Sequence, residues 1–572
     1  MTQLENKKSP FSFKPFTGSL VKESLITNIP LLMNPTLSVN SGLQIDQLSP
    51  HSGDWTFAEA NHLLRRTTFG CTAEQIQQSV NLGLAESLNL LFSDQVQPDP
   101  PVNFFSQKDP YVAIGETWVE APYINEPEVR NYRTRSLVGW QVHTLLEEGI
   151  SIREKLTLFW NNHFAVANVN DPKYVYRYIS LLRSEAWGNF RELVKAMIID
   201  PAMLRFLNGN QNAAASPNEN FARELLELFT IGKGPLAGPG DYTHYTEDDV
   251  REVARALTGW RDQGYFTPSE DIAVQAVFRP FRHDQGEKQL SHRFDNALIS
   301  NQGEEEYKTV VDIIFRQREV ARFICRKLYR WFVYYEIDEN IENTIIEPLA
   351  QILIDQEYEI KPTLKMLLGS QHFFDVLNRG PMIKNPYDFA LGLFKQNEIT
   401  VPKDNLKFYY DFGVQLYGFI GSMEMEYFAP PSVAGWKAYY QEPVFYRIWI
   451  NSSTLRPRML LTDVFATVGF RLPGNRQLQI DVFDMVAQLS QPGDPNLLIQ
   501  ELADRFYPQS ITEEQLTGLK EILIPGLPDF EWTVEYNLYR EDPSNNEIRA
   551  SVELKLRTLL RKMFSLPEYY LS

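Results

Sequence analysis

Apolar residues recur at helical spacing along most of this chain, and this periodicity is the feature that most constrains its fold. From Asp54 onward, apolar side chains return every three or four residues in one segment after another, which is typical of helices that bury one face. Residue pairs with the spacing of a capping box mark several expected helix starts: Thr72 with Gln75, Ser151 with Glu154, and Thr246 with Asp249. The sequence therefore predicts a mainly α fold, a large multi-helix globular body with long irregular loops.

Two parts of the chain depart from helical periodicity. Within 272–279 the side chains alternate with a period of two, which is typical of a strand, so we predict a small β-hairpin arm near 268–295. Residues 1–53 mix Pro, Ser, Asn and Leu without helical spacing and are predicted to form an irregular N-terminal arm. We expect 54–572 to be a single large helical domain, with a helical C-terminal part from about residue 455.

Charge and hydropathy argue against two classes of partner. The chain of 572 residues is acidic, with a formal net charge of −18, and its basic residues form no extended patch. Such a surface repels the phosphates of nucleic acids. No stretch approaches the roughly 20 apolar residues of a membrane span. We therefore expect neither nucleic-acid binding nor a membrane-spanning helix.

The segment 218–232 holds the most informative group of polar residues. Helical spacing places Glu224 and Glu227 on one stripe, about one turn apart, and leaves Arg223 able to pair with a carboxylate on its own helix or on 245–260. Two carboxylates in this arrangement can bind a divalent cation or divide acid and base roles. A salt-bridged helix face explains the same residues, so both interpretations stay open.

Two histidines lie where an imidazole could serve chemistry. His163 shares an apolar stripe with Phe159 and Trp160, where it is either a hydrogen-bonded core histidine or a metal ligand or general base. His283 and Asp284 follow the strand-like segment at a turn, where functional groups are often displayed. A solvated hairpin tip is the equal alternative for this pair.

Three further side chains are candidates for contact with a substrate. His62 and Arg66 lie in one helical segment, as buried structural residues or as groups that neutralise a substrate anion. Trp436 follows a rigid Pro/Gly loop, and is either a pocket wall or, more simply, a packing anchor. We expect both Trp160 and Trp436 to be largely buried.

These candidates combine into the hypothesis of one shared concave site. Its catalytic residues would be Glu224, Glu227 and His163, and its substrate-binding residues His62, Arg66, Arg223 and Trp436. A divalent metal ion is the candidate cofactor, with His163, Glu224, Glu227, His283 and Asp284 as ligands. This mixture of nitrogen and oxygen donors suits zinc, manganese or iron. Bound water would then have a lowered pKa and could support hydrolysis.

Several polar motifs also follow one another in a fixed order. They are His62–Gly70, Trp160–Phe164, Asn218–Gly232, Tyr245–Trp260 and His283–Lys288. Together they resemble the motifs of a large bacterial family catalogued as domain of unknown function 1800. The resemblance runs from about Trp55 onward and implies a fold and a site region, without a reaction.

The resemblance also implies a cellular setting. Many members of that family look exported and are encoded beside a sulfatase-like companion family, which suggests the cell envelope as the location and a sulfatase-like protein as a partner. No signal peptide is recognisable in the first 50 residues, so a cytoplasmic location is the alternative.

Two functions of different classes follow from these observations. One is a metal-assisted hydrolase or transferase with a polar His/Glu/Asp pocket. The other is a non-catalytic envelope or assembly component whose polar motifs are structural networks. They differ in whether the motif side chains converge on one site.

Overall fold

The computed structural model describes residues 47–94, 96–238, 241–472 and 476–572, and helices dominate this part of the chain, which confirms the mainly α prediction. The helices in chain order are α1 (Phe57–Thr67), α2 (Ala73–Leu91), α3 (Pro127–Glu147), α4 (Arg153–His163), α5 (Pro172–Ser184), α6 (Phe190–Ile198), α7 (Pro201–Phe206), α8 (Glu219–Glu224), α9 (Glu247–Ala256), α10 (Glu306–Ile314), α11 (Arg318–Phe332), α12 (Glu339–Ile341), α13 (Glu347–Asp355), α14 (Ile360–Leu368), α15 (Pro386–Gln396), α16 (Leu406–Gly421), α17 (Leu455–Ala466), α18 (Val482–Ala487), α19 (Pro495–Phe506), α20 (Glu513–Leu523), α21 (Asp529–Glu541) and α22 (Asn546–Ser565). Among the residues described, no helix is both long and apolar enough to cross a membrane.

The strands that the structure describes form short antiparallel pairs. The pairs are β1 (Leu236–Gly238) with β2 (Asp241–Tyr242), β3 (Trp260–Gln263) with β4 (Gln275–Phe278), β5 (Lys288–Gln289) with β6 (Leu298–Ile299), and β7 (Phe470–Arg471) with β8 (Gln477–Leu478). The alternating segment predicted from the sequence contains β4. Its partner β3 starts a few residues after the end of α9 and was not predicted, because four residues are too few to show a period.

Capping signals predicted some helix starts and not others. The boxes at Thr72 and Thr246 form as expected. The box predicted between Ser151 and Glu154 is wrong, because α4 begins without a side-chain cap. Glu154 instead lies in the core and accepts a hydrogen bond from Arg183 Nε at 2.6 Å. A buried carboxylate requires a cationic partner, and that requirement outweighs the gain from a local cap.

The tryptophans predicted to be buried lie in the core. The exposed fraction of Trp160 is 0% and that of Trp436 is 2%. The indole Nε1 of Trp160 donates to the carbonyl of Ala186 at 2.7 Å. The backbone N–H of Trp436 donates to Oδ1 of Asn162 at 2.8 Å. Trp436 is therefore buried as a packing anchor would be, and this burial argues against its predicted role in binding a substrate.

The described end of the N-terminal arm is attached to the helical body. The carbonyls of Gln47 and Ser49 accept backbone hydrogen bonds from His372 and Gln371, at 3.0 and 2.8 Å. These bonds hold the chain before α1 against the segment that follows α14. The rest of the predicted arm, residues 1–46, lies outside the described residues.

Helices α3 and α16 approach each other through two glycines. A Cβ atom on Gly413 would lie 2.9 Å from Cα of Gly139, and one on Gly139 would lie 2.8 Å from the carbonyl oxygen of Tyr410. Both distances are shorter than van der Waals contact, so the two backbones meet only because neither residue has a side chain.

We expect Gly413→Ala to lower the free energy of unfolding by about 1 kcal/mol, since overpacking outweighs the better helix propensity of alanine. Gly418 lies on the same helix, and apart from the adjoining backbone of that helix no other described residue comes within 4 Å of its Cβ position, so Gly418→Ala is the matched control. The control should gain stability, by up to about 1 kcal/mol. Urea unfolding of both variants measures the difference, and equal changes would contradict the close approach.

Candidate functional site

The segment 218–232 changes its helix type midway. Helix α8 continues directly into a π-helix, Leu225–Thr230. Carbonyls in the last turn of a helix lack partners within the helix. Here the carbonyl of Leu228 accepts from Nζ of Lys327 at 3.0 Å, and the carbonyl of Phe229 accepts from Nε2 of His163 at 3.1 Å. Side chains from α11 and α4 therefore cap the end of this π-helix.

Both ring nitrogens of His163 are occupied by these contacts. Because a carbonyl only accepts, Nε2 carries the proton that is donated to Phe229, and Nδ1 accepts an N–H from Lys327 at 3.0 Å. Burial lowers the pKa of His163 well below its usual value, and the charge of Lys327 lowers it further. His163 is thus the hydrogen-bonded core histidine that the sequence left open. A metal ion or a substrate proton could reach it only after one of these bonds broke.

Lys327 is a polar residue of this cluster that the sequence did not reveal. Burial lowers its pKa to about 7, with a further contribution from the nearby charge of Arg330. Its position in α11 follows an apolar helical pattern, in which a lone lysine normally extends toward solvent. The role of Lys327 in capping the π-helix becomes visible only from its contact with the carbonyl of Leu228.

Arg223 forms the ion pair expected from the sequence. Its Nη1 and Nη2 atoms each lie 2.7 Å from a carboxylate oxygen of Glu247, on α9, and Nη2 lies 3.5 Å from Glu219. The hydrogen bonds with Arg223 lower the pKa of Glu247. The prediction of a partner on α8 or on the following helix is confirmed.

Glu224 and Glu227 lie side by side but have different partners. Glu227 accepts from the hydroxyl of Tyr245 at 2.9 Å and lies 3.7 Å from Nζ of Lys233. Glu224 is half-buried and has no hydrogen-bond partner among the described residues. Burial raises the pKa of Glu224, and the charge of Glu227 raises it further. The two carboxylates therefore repel each other at neutral pH.

We expect Glu224→Gln to leave stability at pH 7 unchanged or to raise it by up to about 0.5 kcal/mol. A carboxyl whose pKa is raised on folding destabilises the folded state once pH exceeds its unfolded pKa, and glutamine removes that penalty. At pH 3 to 4 the variant and the wild type should unfold alike. Urea unfolding at both pH values measures this, and a loss of 1 kcal/mol or more at pH 7 would mean that Glu224 has a stabilising partner.

His283 belongs to a separate, fully buried cluster. Its Nδ1 lies 2.9 Å from the carbonyl oxygen of Thr258, and its Nε2 lies 3.2 Å from Oε2 of Glu306. The second carboxylate oxygen of Glu306 lies 2.6 Å from Nζ of Lys288. The side chains of Glu306 and Lys288 are both 0% exposed. His283 is therefore part of a buried ion-pair network between β5 and α10. The alternative that it lies at a solvated hairpin tip is wrong.

Asp284 continues this network toward the surface. Its carboxylate accepts from Nε and Nη2 of Arg255 at 2.8 and 3.2 Å, and its backbone N–H donates to the hydroxyl of Thr258 at 2.8 Å. The hydrogen bonds with Arg255 lower the pKa of Asp284. Asp284 thus ties the turn to the C-terminal end of α9.

The structure does not bring the predicted metal ligands together. Glu227 meets Tyr245 before the start of α9, whereas His283 meets Thr258 beyond its end, and a helix of 10 residues is roughly 15 Å long. Among the described residues, no group of three or more His, Cys, Asp or Glu side chains is placed to hold a metal ion. In the part of the chain that the structure describes, the predicted ligands therefore do not form one set; they are His163, Glu224, Glu227, His283 and Asp284.

His62 is buried in the core beside Arg66. Its Nε2 lies 3.0 Å from the carbonyl oxygen of Phe373, and its ring lies 4.6 Å from the Phe373 ring, between centroids. Burial lowers the pKa of His62 well below its usual value, and the charge of Arg66 lowers it further. The structural alternative for His62 fits these contacts.

Arg66 lines a small cavity, which we call the cationic cavity. Its polar lining includes Arg65, Arg66, Lys155, Asn385 and Asp388, and its aromatic lining includes Trp331, Tyr439, Tyr446 and Trp449. The space between these side chains, with solvent at the mouth included, is about 380 Å³, of which about 20 Å³ admits the centre of a water-sized sphere. Lys155 forms a short ion pair with Asp388. Only Arg66 of this set was a candidate from the sequence.

A larger opening, the Glu148 cleft, has a volume of about 1130 Å³ between the ends of α3 and α15, with solvent at the mouth again included. Glu148 Oε1 accepts from the backbone N–H of Glu154 at 3.0 Å, whereas Oε2 is buried and has no partner among the described residues. Burial, followed by the charge of Glu154, raises the pKa of Glu148 to about 8. The sequence missed this residue because a carboxylate pair at a helix end normally indicates a solvated turn.

The fold and these clusters define the class of this protein. It is mainly helical, and the polar residues of its motifs contact other residues of the same chain. It also has a small cationic cavity and an open cleft. Within that class, the chain belongs to the family described as "Protein of unknown function (DUF1800)", whose sequence model matches residues 62–571. No curated protein and no solved structure matches the chain.

Proposed function

We propose that this protein is a non-catalytic assembly component, in which the family's polar motifs are structural networks that join helices. The observation that supports this role most directly is that motif residues pair with one another. His163 caps the π-helix at the carbonyl of Phe229, Arg223 pairs with Glu247, and His283 contacts the carbonyl of Thr258. Catalytic groups must instead remain available to a substrate in a cleft.

The family resemblance supports a place for this component at the cell envelope, beside a sulfatase-like companion protein. An acidic, helical body held rigid by buried ion pairs suits a scaffold, because its surface keeps one shape when a partner binds. The partner's identity comes from the resemblance alone.

Co-expression of the chain with its sulfatase-like companion tests the assembly role. Size-exclusion chromatography is expected to show one complex, and its formation should survive treatment with a chelator. Glu224→Gln/Glu227→Gln should bind the companion as the wild type does, since these carboxylates hold no joint ligand in this proposal. Separate elution of the two proteins at micromolar concentration would contradict the role.

A metal-assisted hydrolase or transferase is the alternative, and one observation favours it. Glu224 and Glu227 lie side by side at the surface of the π-helix segment, and Glu224 has no hydrogen-bond partner among the described residues. Elemental analysis of the purified protein decides between the two functions. One bound metal ion per chain, lost in Glu224→Gln/Glu227→Gln, would support the alternative; a metal content well below one ion per chain in both proteins is what the assembly role predicts.

A further inference from the structure

The cationic cavity holds an excess of buried positive charge. Arg65, Arg66 and Lys155 line it together with the carboxylate of Asp388 and with Ser572, the last residue of the sequence. A second small hollow shares Arg65 and Asp388 with the first and adds Lys384 to the lining. Asp388 forms its ion pair with Lys155, so the remaining cations have no carboxylate in contact among the described residues.

Backbone carbonyls hold these remaining cations in place. Arg65 donates to the carbonyls of Phe506 and Arg505, at 3.0 and 3.1 Å. Arg66 donates to the carbonyl of Val333 at 2.5 Å and to the hydroxyl of Ser572 at 3.3 Å. Lys384 donates to the carbonyl of Tyr569 at 2.7 Å. Carbonyl dipoles orient a cation but do not cancel its charge, so the net charge of the cavity stays positive.

A further arginine contributes to this field from the core. Arg458 is 0% exposed, and it donates to the carbonyl of Lys384 at 3.0 Å. Burial lowers the pKa of Arg458 to about 10, and burial likewise lowers the pKa of Arg65 and of Arg66 to about 10. Each guanidinium still carries its charge at neutral pH, although burial disfavours the charged form. An unneutralised charge in such a place normally binds a counterion.

Several donor atoms in this region also lack acceptors. Nε of Arg65, Nε of Arg66, and both Nε and Nη1 of Arg458 are buried without a hydrogen-bond partner among the described residues. Arg65 and Arg66 line the cavity directly, and they are only 6% and 4% exposed. Buried donors are almost always satisfied, so unsatisfied donors beside a cavity point to an acceptor that occupies it.

We propose that the cationic cavity is a binding site for a small inorganic anion, coordinated by Arg65 and Arg66 and held in the field of Lys155, Lys384 and Arg458. The space of about 20 Å³ admits one water-sized group, which matches a chloride ion or a single oxygen of sulfate or phosphate. Trp331 and Tyr439 limit the access of water and so strengthen the attraction. The site does not depend on the assembly role proposed above.

Thermal unfolding of the full chain tests this site directly. Chloride, sulfate and phosphate are titrated as sodium salts at constant ionic strength, with a bulky organic anion as the balancing salt. We expect at least one of the three to raise the unfolding midpoint by about 2 °C or more at saturation, because a ligand that binds only the folded state stabilises it. Isothermal calorimetry with the same anion gives the stoichiometry, expected to be one per chain.

Variants assign the effect to the cavity. Asp388→Asn removes the competing carboxylate and should tighten anion binding several-fold, even if the variant is less stable than the wild type. Arg66→Met should abolish the shift, and Arg561→Met, which removes an exposed arginine paired with Asp463, is the matched control and should retain it. If Arg66→Met does not fold, hydrogen exchange of the wild type replaces it, with slower exchange expected at 62–70 and 384–392 when the anion is present.

Two results would overturn the proposal. One is a midpoint that depends on ionic strength alone, identical for all three anions and for the organic salt. The other is an anion effect of the same size in the wild type and in both Asp388→Asn and Arg66→Met, which would place binding elsewhere on the protein.

Discussion

Lys288→Met is expected to lower the free energy of unfolding by about 3–5 kcal/mol. Lys288 and Glu306 are both 0% exposed, and their ion pair, at 2.6 Å, lies in the core between β5 and α10. Among the residues that the structure describes, removal of the lysine leaves the buried Glu306 carboxylate with His283 as its one ionisable partner. Desolvation of that charge, rather than the lost attraction itself, accounts for most of the expected loss.

The exposed pair Lys308–Glu305 is the control for this prediction. Its lysine and glutamate side chains are 42% and 56% exposed, so Lys308→Met should change stability by less than about 0.5 kcal/mol. Urea unfolding at pH 7 measures both variants. In the double variant Lys288→Met/Glu306→Leu, at least part of the loss should be recovered, because no unpaired charge remains. Equal effects of the two lysine variants would show that the buried network does not carry the stability assigned to it.

Glu148→Gln is expected to stabilise the protein at alkaline pH, by about 2 kcal/mol at pH 9. Burial and the charge of Glu154 raise the pKa of folded Glu148 to about 8, while an unfolded glutamate titrates near pH 4.3. Between these values the unfolded chain ionises and the folded chain does not, so stability falls as pH rises toward 8 and then levels off. Glutamine does not ionise, so the variant does not lose stability over this pH range. The expected gain in stability is smaller than the roughly 1.4 kcal/mol per pKa unit that a site without water would give, because the cleft admits water.

The groups that face Glu148 act in opposite directions. Glu154 disfavours its charge, whereas Lys395 and a hydrogen bond from Ser151 favour it. Glu147→Gln is the control, because Glu147 lines the same cleft but pairs with Lys403 at 2.7 Å. We expect its effect to stay below about 1 kcal/mol and to be constant from pH 6 to 9. Unfolding curves at pH 5, 7 and 9 measure both variants, and a pH-independent effect of Glu148→Gln would refute the raised pKa.

Periodicity predicted the helices well because it reports directly on which face of a segment is buried. The alternation within 272–279 predicted one strand for the same reason. The capping box predicted between Ser151 and Glu154 was wrong because burial of Glu154 against Arg183, 29 residues later in the chain, outweighed a local cap. Local sequence carries no information about a partner at that distance.

The spacing of residues along the sequence predicted which side chains share a face of each motif helix. It did not predict which other parts of the chain that face contacts. Arg223 was expected to pair, and its pairing is confirmed, because a guanidinium on a partly buried helix requires an acceptor nearby. The convergence of His163 with His283 failed because each histidine meets carbonyls of a different helix end. Residue type alone cannot distinguish a histidine that caps a carbonyl from one that binds a metal.

The cationic cavity shows the limit of sequence reasoning most clearly. Arg66, Lys155, Lys384 and Arg458 are separated along the chain by 89, 229 and 74 residues, and each has an ordinary helical or loop context. The signal that could have found them is a basic residue on an otherwise apolar stripe, which a single sequence also produces by chance at exposed positions. Their shared location depends on how α1, α4, α15 and α17 pack.

Arg65 on α1 donates hydrogen bonds to carbonyls at the end of α19, so α1 cannot complete its contacts until α19 has been synthesised. Arg65 and Phe506 are 441 residues apart. At 5–20 residues per second, a ribosome needs roughly 20–90 s to make the acceptors after it has made the donor. Throughout that interval the guanidinium of α1 must stay hydrated, so the first helix cannot reach its final position early. A nascent chain halted before residue 505 should therefore keep α1 accessible to proteases and chaperones.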